Sequence, residues 1–227
     1  MRLVIAGCEY SGTSTLAFAI DDWLQEKMGV RFSLIHDHWK IPDTSGHPQA
    51  DMTDEERGQV LALSPELKEM TQRHSLYYHI QANSWNGPDW LAIGLHIDDS
   101  VYGPLYFGYG GDGKPHDRKV VSYQVESSIL RFAPDVVLVQ VSADADVIAQ
   151  RMAGSPHPNS PLKREDIQAV LDAYAAAFER STFRHKIALD TSASTVEETI
   201  AEFEAKIEPH LTETDRSRIL LHRSWQT

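Results

Sequence analysis

The chain has 227 residues, 41% of them hydrophobic and 24% charged, with a net charge of −12 and one cysteine. That balance describes a soluble globular domain with room for a substantial core, and the acidic excess argues against binding polymeric nucleic acid, whose phosphates select a basic face. A lone Cys8 excludes an internal disulfide and suits a reducing, cytoplasmic setting; no apolar stretch approaches the ~20 residues of a membrane span, and the N-terminus does not read as a signal peptide.

In chain order, the first strand is expected over 2–7. Its apolar run Leu3-Val4-Ile5-Ala6 leads directly into Gly7-Cys8-Glu9-Tyr10-Ser11-Gly12-Thr13-Ser14-Thr15. The glycine spacing and terminal hydroxyls match a phosphate-binding loop, G-x-x-x-x-G-K-[ST], with Thr13 in the place of the lysine. In such a loop the backbone N–H groups and the positive end of the next helix face an anion. That helix is expected over 14–28, stopped by Gly29. A second strand, 31–35, runs into His36-Asp37-His38-Trp39-Lys40. His36 and His38 share a strand face, but no third soft ligand accompanies them. Asp37 reads as a base or an acceptor-binding carboxylate, and Lys40 as a charge that can swing into the same cleft.

Residues 42–53 are a loop, followed by helices over 54–63 and 64–83, the latter opening with Ser64-Pro65-Glu66. Arg73 and Tyr77 share one helical face, a pairing that suits a flat base with a phosphate or carbonyl, or else packed aromatics beside a solvated arginine. A third strand over 89–97 ends at Asp98-Asp99-Ser100, where a carboxylate beyond a parallel strand can hold magnesium or accept a proton. A glycine- and tyrosine-rich loop containing Tyr102 fills 101–118. Then come a helix (119–132), a strand (135–141), a helix (143–152) carrying Arg151, and a proline-rich segment around 153–163 flanked by Lys163 and Arg164. Cations around such a segment suggest a lid closing over phosphates. A helix (164–181), a strand (186–189), a helix (195–207) and a polar tail (212–227) complete the chain. Strands alternating with helices predict an α/β fold around a parallel sheet.

The loop at Gly7 to Thr15, Asp37 after the second strand, Arg73 on a helix, Asp98-Asp99-Ser100-Val101-Tyr102 and the lid after Arg151 occur in an order that resembles the P-loop nucleoside and nucleotide monophosphate kinases, near their deoxynucleoside kinase and thymidylate kinase branch. The resemblance implies a three-layer α-β-α P-loop fold with a five-stranded parallel sheet, as one domain over 1–211. It implies ATP or another nucleoside triphosphate with Mg2+ as donor, and a nucleoside or nucleotide as acceptor. On that pattern Gly7, Glu9, Tyr10, Ser11, Gly12, Thr13, Ser14 and Thr15 cradle the donor, helped by Lys163 and Arg164. Ser14 and Asp98 hold the metal; Asp37, Asp98 and Arg151 take catalytic roles; Lys40, Arg73, Tyr77, Asp99 and Tyr102 bind the acceptor. Families of this shape commonly form homodimers.

Two departures bear on activity: Thr13 replaces the loop lysine, and Asp99 replaces the arginine that follows the acidic residue. Losing one such donor costs about 3 kcal/mol of transition-state stabilisation, so Lys40, Lys163 or Arg164 is expected to approach the loop when ligand binds. Two further readings keep the loop: a nucleotide-binding regulatory module without transfer, and a transferase or hydrolase using another phosphorylated donor.

Overall fold

A computed structural model of the chain describes residues 1–37, 53–157 and 160–226. Its sheet has five strands: β1 (Arg2–Ala6), β2 (Leu34–Asp37), β3 (Trp90–Ile93), β4 (Val137–Ser142) and β5 (His185–Asp190), in the order β2-β3-β1-β4-β5 with every pairing parallel. The expected five-stranded parallel α/β architecture is therefore present.

Alternation along each strand divides the core. Leu3 and Ile5 of β1 join Leu91, Ile93, Val137 and Val139 on one face, against α1 (Thr13–Met28), α9 (Val196–Ile207) and Ile219 of α10 (Glu213–Gln226). Val4 and Ala6 join Trp90, Ala92 and Leu138 on the other, beneath α5 (Leu95–Tyr102), α6 (Arg118–Leu130) and α8 (Ile167–Arg180). Because both faces are covered, strands read as continuous apolar runs. β1 is central, with β3 on one side and β4 on the other, so the crevice where sheet order reverses opens beyond its carboxyl end.

Four expected elements differ. The third strand stops at Ile93, and residues 94–102 turn away as α5. Gly94 makes the corner: its φ is 78°, and its carbonyl accepts the N–H groups of Ile97 and Asp98. The run Leu95 to Val101 is buried as a helix wedged between sheet and outer helices, and an all-buried run has no period by which to tell strand from helix. The helix expected over 64–83 divides into α3 (Pro65–His79) and the single turn α4 (Ala82–Trp85), after α2 (Asp54–Ala62). The stretch expected as a tail contains α10, whose buried Asp215 lies 3.2 Å from the Met1 ammonium, while Arg218 joins Asp89 at 2.8 Å. The loop expected over 101–118 begins with the end of α5 and a π-helical turn at Gly103–Phe107.

Edge strand β5 is protected by lysines. Lys206 Nζ donates to the Ala188 carbonyl at 2.6 Å, and Lys186 Nζ reaches the carbonyls of Phe178, Glu179 and Ser181 at the end of α8. Lys206 thereby covers part of the unpaired backbone that invites edge pairing, while Lys186 satisfies the last carbonyls of α8. Among the described residues no helix is long and apolar enough to cross a membrane.

Candidate phosphate-binding site

The segment between β1 and α1 sits at the crevice. Gly7 lies against β4: a Cβ built there would stand 2.2 Å from the Val141 carbonyl oxygen and 2.7 Å from Ser11 Oγ, so only glycine fits. Ser11 N–H closes a turn on the Cys8 carbonyl at 3.0 Å. Gly12, with φ 94°, forms the N-cap of α1, and its carbonyl accepts the Leu16 N–H at 2.9 Å. This is a backbone conformation open to glycine and costly to other residues.

The loop is held from behind. Arg151, at the end of α7 (Ala145–Gly154), donates from Nη1 to the Tyr10 carbonyl at 3.0 Å and from Nη2 to the Thr191 carbonyl at 2.5 Å. Thr191, just past β5, donates from Oγ1 to the Ser11 carbonyl at 2.8 Å. Beside Glu9 lies the buried Tyr102, whose pKa burial lifts well above the usual phenol range. Carbonyls of Tyr10 and Ser11 thus face protein donors. A guanidinium on one carbonyl and a hydroxyl on the next polarise those peptides and strengthen the adjoining N–H groups as donors.

At the lysine position, Thr13 is buried and only 7% exposed. Ser14 and Thr15 are exposed, and Ser14 Oγ donates to Asp37 Oδ2 at 3.1 Å. The second strand extends two residues beyond the expected 31–35, so Asp37 is its last residue and stands at the mouth of the loop. Hydroxyl and carboxylate are both hard oxygen ligands open to water, a donor set that suits Mg2+, which keeps several waters and takes one or two protein oxygens. Among the described residues no group of three His, Cys, Asp or Glu side chains is placed to hold a metal ion.

The two aspartates expected at a strand end lie instead inside α5. Asp98 is 1% exposed and accepts the Tyr174 hydroxyl at 2.6 Å. Burial raises the Tyr174 pKa well above the ordinary phenol value, and the Asp98 charge raises it further. Asp99 accepts the Tyr109 hydroxyl at 2.8 Å and lies 2.9 Å from Arg118 Nε, at an angle too bent for a hydrogen bond, so that contact is an ion pair. Arg118 also donates from Nη1 to Glu69 at 2.9 Å and lies over the Tyr109 ring at 4.7 Å. Burial pushes the Asp99 carboxyl up, and the Arg118 charge opposes that rise. Both aspartates therefore face the interior, and not the open strand end at which metal and substrate were expected to meet them.

Of the remaining expected residues, Arg73 leans back along α3 onto Glu69 at 3.2 Å. Tyr77 is 39% exposed one turn further on. Lys163 and Arg164 are exposed, with Arg164 opening a 3-10 turn, Arg164–Asp166, before α8. Lys40 and His38 lie outside the described residues. Among the described residues, the cation hydrogen-bonded to the loop is Arg151. Sequence reasoning missed Thr191, Tyr174 and Arg118, which act across long separations. A hydroxyl directly after the fifth strand was the readable sign of Thr191.

No family model matches this sequence, and no curated protein does. Solved structures do. Deoxyadenosine kinase from M. mycoides with bound dATP superposes with a TM-score of 0.57 at 12% identity, over 92% of this chain and 100% of that one. Thymidylate kinase from Candida albicans gives 0.55 at 14% identity, over 94% and 93%. Thymidylate kinase from Ehrlichia chaffeensis gives 0.53 at 13%, over 90% and 97%. The fold is that of the P-loop kinases. At such identities likeness extends to the fold alone, yet it spans nearly the whole of each chain. The expected P-loop kinase architecture is thus present at full length, with an altered loop at its crevice.

Proposed function

We propose that this P-loop fold binds a nucleoside triphosphate at Gly7 to Thr15 and transfers a phosphoryl group to a nucleoside or nucleotide. The observation that carries the reading is the Ser14 hydroxyl 3.1 Å from the Asp37 carboxylate at the mouth of a glycine-shaped loop. Ser14 and Asp37 would hold Mg2+, which, when bound, offsets phosphate charge during transfer. The N–H groups at the start of α1 bind the donor phosphates, ordered by Arg151 and Thr191 behind them. Asp37, exposed and free of buried partners, also stands where it can accept the proton of an acceptor hydroxyl. Phosphoryl transfer depends chiefly on positioning and electrostatics, so a well-ordered loop can retain it without a lysine.

A second reading is a nucleotide-binding module without transfer. Two observations favour it: Thr13 is buried in the lysine's place, and Asp98 and Asp99 are turned into the interior. Calorimetry with Mg-ATP, paired with a transfer assay across nucleosides and nucleotides, separates the two. Transfer that falls at least about a hundredfold in Ser14→Ala and Asp37→Asn supports the kinase reading. Tight binding without transfer to any acceptor supports the second, and absence of binding removes both.

A further inference from the structure

Tyr10 occupies the middle of the phosphate loop with φ 66°. Left-handed backbone is easy for glycine and costly for tyrosine, so a tyrosine there is held by its surroundings. Its surroundings are specific. The ring stacks on that of His157, with centroids 4.5 Å apart and planes 27° off parallel. Its hydroxyl oxygen accepts the His157 N–H at 3.0 Å, and its carbonyl accepts Arg151 Nη1 at 3.0 Å. One loop residue is thus gripped by α7 through its backbone, and by the segment beyond α7 through its ring and hydroxyl.

The far end of that segment is tied in the same way. Lys163 N–H donates to the Tyr106 hydroxyl at 3.4 Å, and Tyr106 donates to Asp166 at 3.0 Å. Tyr106 stacks on Tyr102 at 5.6 Å. The near end, at His157, is thus tied to the phosphate loop through Tyr10, and the far end, at Lys163, to the turn after α5 through Tyr106.

We propose that Tyr10 is a positioning residue that fastens the lid segment to the phosphate loop, so that loop and lid form one preassembled unit before a donor binds. Preassembly removes part of the ordering cost of anion binding. It thereby offsets some of what the loop lacks without a lysine. The donor part of this proposal rests on the phosphate-binding reading above; the fastening itself does not.

Amide exchange by NMR on the full-length protein, without added nucleotide, tests the fastening. The His157 amide is expected to be protected, and Tyr10→Phe, which keeps the ring and removes the acceptor, is expected to speed its exchange about fivefold. Tyr10→Gly suits the left-handed backbone and should fold, yet is expected to release exchange across 153–163. Calorimetry with Mg-ATP tests the donor part. Tyr10→Gly is expected to bind about tenfold more weakly and Tyr10→Phe to stay within about threefold of wild type. Unchanged exchange over 153–163 in Tyr10→Gly overturns the fastening. Equal or tighter Mg-ATP binding by Tyr10→Gly overturns preassembly. If wild type binds no Mg-ATP, the phosphate reading and the donor part fail together, while the exchange result still decides the fastening.

Discussion

Replacing Arg118 by methionine keeps the side-chain stem and removes the charge from the most buried ionic cluster beside the site. Arg118 is 1% exposed, and its guanidinium meets Glu69 at 2.9 Å and Asp99 at 2.9 Å. Without it Glu69 retains Arg73 at 3.2 Å, but Asp99 retains only the Tyr109 hydroxyl at 2.8 Å. Leaving a buried carboxylate unpaired costs about 3–5 kcal/mol. For a chain of this length that lowers the melting temperature by about 6–20 °C. Thermal melts and urea unfolding at neutral pH measure it, and adding Glu69→Gln and Asp99→Asn to Arg118→Met is expected to recover most of the loss.

The pH dependence of that variant follows with a definite sign. Burial already raises the native Asp99 pKa, and Arg118 is the main influence lowering it. Removing Arg118 raises it further. A carboxyl whose native pKa exceeds its unfolded one contributes stability below the unfolded value and loses it as pH rises through the native value. The gap between Arg118→Met and wild type should therefore narrow on going from about pH 7 to about pH 5. A penalty under about 1 kcal/mol, or no recovery in the triple variant, refutes the argument. Asp99 would then return as a candidate acceptor ligand.

Glu126 gives the opposite sign. Burial pushes its pKa up, but hydrogen bonds and charge from His96, with those from Thr182, outweigh burial and hold it at about 2, below its ordinary 4.5. Its stabilisation is present above the unfolded value and is lost as pH falls through about 2. Glu126→Gln is expected to cost about 2–3 kcal/mol at neutral pH and to flatten the acid limb of the unfolding profile. Gly7→Ala places a Cβ 2.2 Å from the Val141 carbonyl, so the loop must shift. Mg-ATP affinity should fall by more than about tenfold with a smaller change in melting temperature, and unchanged affinity would mean that the loop is not the donor site.

The sheet was legible because its strands are short apolar runs separated by helical patterns, and the loop because glycine spacing follows a strand and opens a helix. Gly29 ends α1 with φ 70°, as its place in the sequence implied. What escaped was decided by burial from distant segments. Leu95 to Ile97 looks like a continuation of the third strand because both sides are covered, and only the corner at Gly94 makes it the start of a helix. Asp98 and Asp99 read as a rim pair until Tyr174, Tyr109 and Arg118, respectively 76, 10 and 19 positions away, turn them inward. The polar composition of 213–226 concealed a helix whose Asp215 ties it to Met1 before β1 and whose Arg218 ties it to Asp89 before β3.

The two missing cations are therefore different kinds of change. At position 99 a guanidinium is still beside the residue, but it comes from α6 and is neutralised by Glu69 and Asp99 themselves. Asp99, Arg118 and Glu69 form a buried ionic cluster that belongs to the core. At position 13 nothing of the sort occurs among the described residues. Thr13 is buried, and the arginine bonded to the loop, Arg151, approaches its carbonyl side. On the proposed reading, an anion there would be held by backbone N–H groups, by the end of α1 and by a metal on Ser14 and Asp37. Such a loop would depend on its own rigidity more than a lysine-bearing one does, so the contacts behind it, from Arg151, Thr191 and the Tyr10–His157 stack, would matter more to binding than their distance from the phosphates suggests.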